Sequence, residues 1–95
     1  MDRQEQINRL NELRIAANIA PINPIKKINL KSLIDNTIDC IEELKKPVDS
    51  MIELNQFMIG EIKFINRHKN TLSIYELEVR QIFVEAIQNY IVWGK

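Results

Sequence analysis

A chain of 95 residues with 13 basic and 13 acidic side chains has no net field to draw it toward nucleic acid or an anionic membrane, so any such binding needs a local patch. Hydrophobic residues at 45% and charged residues at 27% exclude a disordered chain and predict a single domain over 1–95. One cysteine and one histidine exclude an internal disulfide and a zinc-type ligand set, and neither a metal nor a cofactor is expected.

Four helical segments are predicted in chain order. Asp2 and Glu5 form a D-x-x-E cap, from which a helix over about 2–18 presents Ile7, Leu10, Leu13 and Ala17 as a narrow apolar stripe. In APINPIKKIN, Pro21 and Pro24 bias the residues before them away from helical geometry. Ile22, Ile25 and Ile28 fall every third residue there, which predicts an extended strap laid across a bundle, with an SH3-type P-x-x-P ligand as the weaker reading. From Leu30 a regular heptad sets in. Ile34, Ile41, Val48, Asn55 and Ile62 occupy one core position, and Leu30, Thr37, Leu44, Met51, Met58 and Ile65 the other. Flanking apolar residues widen this stripe beyond a two-stranded seam, which predicts a multi-helix bundle. Between Met51 and Ile65 only a strip of Glu53, Gln56, Gly60, Lys63 and Arg67 is polar, which makes the segment either the central helix or an oligomer interface. Ser73 and Glu76 form a capping box, with Leu72 and Leu77 as its hydrophobic staple. The helix that follows carries Tyr75, Val79, Ile82, Phe83, Ala86, Ile87, Tyr90 and Trp93 on one face, and Leu77, Val84 and Ile91 on a second ridge.

Pro47 interrupts the heptad and leaves two architectures open. At a first helical position proline costs almost nothing, whereas inside a helix it costs about 3 kcal/mol. Lys45 and Lys46 before it, and Asp49 and Glu53 after it, suit the end of one helix and the start of the next. A break gives helices over about 2–18, 29–45, 47–69 and 73–93, an antiparallel up-down bundle of four. A kink instead preserves the apolar phase and leaves three helices, with a long central one that needs a second copy to cover it.

Enzymatic chemistry is not expected. The sequence has no Gly-rich phosphate loop, nucleophile elbow, H-E-x-x-H or E-x-x-H pair, and Cys40 reads as a small hydrophobe beside the stripe. His68, between Arg67 and Lys69, reads as a solvated residue at a helix end. Asn55 reads either as a polar residue that sets oligomer register or as a surface side chain. No apolar run reaches membrane-spanning length, and the polar N-terminus lacks a signal-peptide core. The expectation is an intact cytoplasmic protein without a membrane partner.

The surplus of apolar ridges predicts a helical module that binds protein. Leu54, Phe57 and Phe64 form one candidate surface and Leu77, Val84 and Ile91 another, with Arg67 and Arg80 as charged neighbours. A homodimer is expected to use part of this surface. Size, neutrality and an isoleucine- and asparagine-rich composition suit a phage-encoded inhibitor, an immunity or antitoxin-like protein, or a regulatory adaptor. The competing class is a nucleic-acid-binding transcriptional regulator that uses the basic clusters Lys63–Lys69 and Lys26–Lys31. Long, heavily apolar helices disfavour it.

Overall fold

A computed structural model describes residues 2–44 and 51–93, together with the side chains of all of these except Met51, Val92 and Trp93. The described residues are helical throughout apart from caps and turns: α1 (Arg3–Ile19), α2 (Pro24–Glu43), α3 (Met51–His68) and α4 (Ile74–Trp93).

The helix starts follow from local hydrogen bonding. Asp2 Oδ1 accepts from the Glu5 backbone N–H at 2.8 Å, and the Asp2 carbonyl accepts from Gln6 at 3.0 Å, so α1 begins where the cap predicts. Ser73 Oγ accepts from the Glu76 N–H at 3.1 Å and starts α4 in the same way. Only that half of the capping box is seen, because the Glu76 carboxylate turns to Arg80 at 3.5 Å.

The expected strap is corrected. Asn23 Oδ1 accepts from the Ile25 N–H at 2.8 Å and Pro24 is the first residue of α2, so the helix starts at Pro24 and not at residue 29. Proline lacks only an N–H that the first turn leaves unused, and Asn23 supplies the cap. Ile25 and Ile28 therefore stand on a helix, 68% and 66% exposed, and do not lie buried along a polyproline edge.

The buried core comes from three helices. Leu10, Leu13 and Ala17 of α1 meet Leu30, Ile34 and Ile41 of α2, and Val79, Ile82, Ala86 and Ile87 of α4. Thr37, at a heptad core position, is buried and satisfies its hydroxyl on the Leu33 carbonyl at 2.7 Å. Across the molecule α1 packs on α2 and α4, and α2 packs on α4, as helices of a bundle do. The ion pairs Arg9–Glu78 and Arg14–Asp35 tie α1 to its two neighbours.

α3 differs from the other three. It packs on α4, and none of its described side chains is fully buried. Of the two roles expected for Met51 to Ile65, the central helix is thereby corrected: α4, which touches α1, α2 and α3, holds that place. The second ridge expected on α4, Leu77, Val84 and Ile91, is half-buried.

Pro47, on which the choice between break and kink turns, lies outside the described residues with its neighbours Lys45, Lys46, Asp49 and Ser50. The molecule is 40 Å in its longest dimension, whereas a straight helix over 24–68 would run to about 65 Å at 1.5 Å per residue, so α2 and α3 do not share one axis.

Candidate protein-binding surface

Phe57, Glu61, Phe64 and His68 recur at four-, three- and four-residue spacing and so form a ridge along one flank of α3. Between this ridge and α2 runs an apolar groove of about 180 Å³, with α4 as its floor. Leu33, Thr37 and Cys40 form its α2 wall, Phe57 and Glu61 its α3 wall, and Phe83 and Arg80 its base.

The ridge is held from below by α4. Phe57 meets the Phe83 ring edge-on, with centroids 5.7 Å apart and planes at 63°. Arg80 Nη1 donates to both carboxylate oxygens of Glu61 at 3.2 and 3.0 Å, and its guanidinium lies over the Phe64 ring, 4.3 Å from the centroid. The His68 ring lies tilted against Phe64, with centroids 4.5 Å apart. The Arg80 and Glu61 side chains are only 18% and 17% exposed, so this clamp is shielded from solvent more than an ordinary surface pair.

Above the clamp the ridge is open. Phe57 is 52% exposed and Phe64 38%. Nearly opposite them on the helix, at 100° per residue, stand Ile52 and Ile59, 73% and 41% exposed. A second groove, about 190 Å³, runs on that side between α3 and α4, where Ile62 and Ile65 face Val84 and Gln88.

The expected binding residues divide accordingly. Phe57 and Arg80 line the first groove, Phe64 lies against Arg80, and Val84 lines the second groove. Leu54 and Ile91 turn inward and pack against the core. Arg67 is exposed and Leu77 half-buried, and neither lines these two grooves. Asn55 is exposed on α3. Arg80, expected as a charged neighbour of the surface, is engaged within the molecule by Glu61, Glu76 and Phe64.

Glu61 was not singled out by sequence. Its place in the 57–61–64–68 ridge was a usable signal, but its pairing with Arg80, 19 residues away, was not. Cys40 lies exposed at the groove's rim, and partial burial, with Glu43 and Asp39 nearby, pushes its thiol above the ordinary value. That favours the unreactive protonated form. Among the described residues, no group of three or more His, Cys, Asp or Glu side chains is placed to hold a metal ion, and no helix is long and apolar enough to cross a membrane. The chain matches no protein-family model, no curated protein and no solved structure.

Proposed function

We propose that this chain is a non-enzymatic protein-protein interaction module, an inhibitor, immunity or antitoxin-like protein or regulatory adaptor, that binds its target through the open flanks of α3. The antiparallel, up-down order of the four helices completes this reading. The observation that carries it is that the most apolar-ridged segment packs on the core by one side only. α3 is attached to α4 and leaves Ile52, Phe57, Ile59 and Phe64 in water. Aromatic side chains on a rigid helix beside an apolar groove are the groups that most often anchor protein interfaces. Self-association covers part of this surface when no target is present, and the target takes the rest.

Affinity purification from the native host, with mass spectrometry of what is retained, tests the proposal. A protein held by the wild-type chain and released from folded Phe57→Asp or Val84→Asp variants supports it. Retention of the same proteins by both variants as by the wild type would overturn it.

A further inference from the structure

We infer that the corner where α1 passes into α2 docks on an anionic membrane surface. Overall neutrality hides a segregation of charge. From Arg14 to Ile34 the chain carries Arg14, Lys26, Lys27 and Lys31 and no acidic residue. Two of these cations shape the corner: Arg14 pairs with Asp35 at 3.0 Å, and Lys27 Nζ donates to the Asn18 carbonyl at 2.9 Å. Lys26 and Lys31 make no ion pair among the described residues and are exposed.

The same corner holds four bare aliphatic side chains. Ile15 and Ile19 are 64% and 77% exposed on α1, and Ile25 and Ile28 are 68% and 66% exposed on α2. Arg14, Ile15, Lys27, Ile28 and Lys31 surround a shallow groove of about 310 Å³ between the two helices. Exposed aliphatic groups beside Arg14, Lys27 and Lys31 match the two layers of an anionic lipid interface, acyl chains beneath and phosphates above.

Charge complementarity selects this partner. A nucleic-acid backbone would satisfy the lysines but leave four isoleucines against phosphate and water. A folded protein target is anchored by aromatic or arginine side chains packed in pockets, whereas none of the residues lining this groove is aromatic, Arg14 is engaged by Asp35, and the exposed groups are separate isoleucines. A bilayer accepts such separate groups individually. The attachment is peripheral, since among the described residues no helix is long and apolar enough to cross a membrane.

Vesicle co-flotation of the full chain tests this. Vesicles of phosphatidylcholine with phosphatidylglycerol should retain the protein at low salt and release it at high salt, and vesicles of phosphatidylcholine alone should not retain it. Lys26→Gln with Lys31→Gln should weaken retention about tenfold or more. Ile19→Ser with Ile25→Ser should weaken it comparably without unfolding side chains that are already exposed. Three results would overturn the inference: no retention on anionic vesicles, full retention of the isoleucine variant, or salt-sensitive binding of duplex DNA or RNA without retention on vesicles.

Discussion

Gln6 is the buried residue whose chemistry fits its surroundings least. It is 2% exposed on α1, and its Nε2 meets no acceptor among the described residues. An unsatisfied buried donor costs about 1–3 kcal/mol, so Gln6→Met should raise the midpoint of thermal unfolding, and an unchanged or lowered midpoint would show that the amide is satisfied. Gly60 is a second such position. A Cβ built there meets nothing within 4 Å, and the residue lies on the exposed polar strip of α3. Gly60→Ala should add about 0.5–1 kcal/mol in denaturant unfolding by removing freedom from the unfolded chain. Glu78 brings a pH dependence. Hydrogen bonds from Arg9 hold its carboxyl below the ordinary 4.5, against a smaller opposing effect of burial. A carboxylate lowered in the folded state stabilises above its unfolded pKa and loses that contribution as pH falls through the folded value. Thermal stability should therefore decline on acidification below the ordinary glutamate range, and Glu78→Gln should flatten that decline.

For whole helices, legibility in the sequence depended on whether the deciding interaction was local. Asp2 and Ser73 cap through bonds three residues away, and both helix starts were readable. Asn23 caps just as locally, but two nearby prolines read as extended chain concealed it, because a proline that ends one helix looks the same as one that begins another. The core face of α2 was readable through its heptad, with Leu30, Ile34, Thr37 and Ile41 all buried. α3 was not. Asn55, Met58, Ile62 and Ile65 continue that heptad, yet burial depends on which helices arrive to cover it, and among the described helices only α4 does. An element with one neighbour should open before the rest. Amide exchange should be faster in α3 than in α2 or α4. Glu61→Gln, by loosening the hold of Arg80, should speed it further in α3 and cost about 1–2 kcal/mol locally, with α1 and α2 unaffected. Equal protection in all four helices would show that α3 belongs to the core.

At the scale of the whole molecule, three helices make a closed core and the fourth presents an aromatic ridge over a groove. The number of apolar ridges in the sequence exceeds what one core can cover, and the central position of α4 decides which ridge stays uncovered. Leu54 and Ile91 went inward, and Phe57 and Phe64 stayed out. The proposed interface on this flank implies that a second copy should cover it in the absence of its target. Light scattering gives the most direct measurement of that claim. The wild-type chain should scatter as a particle of twice 11.2 kDa, and Phe57→Asp as one of 11.2 kDa at unchanged helical content. A wild-type particle of 11.2 kDa at every concentration, unaltered by that substitution, would contradict it.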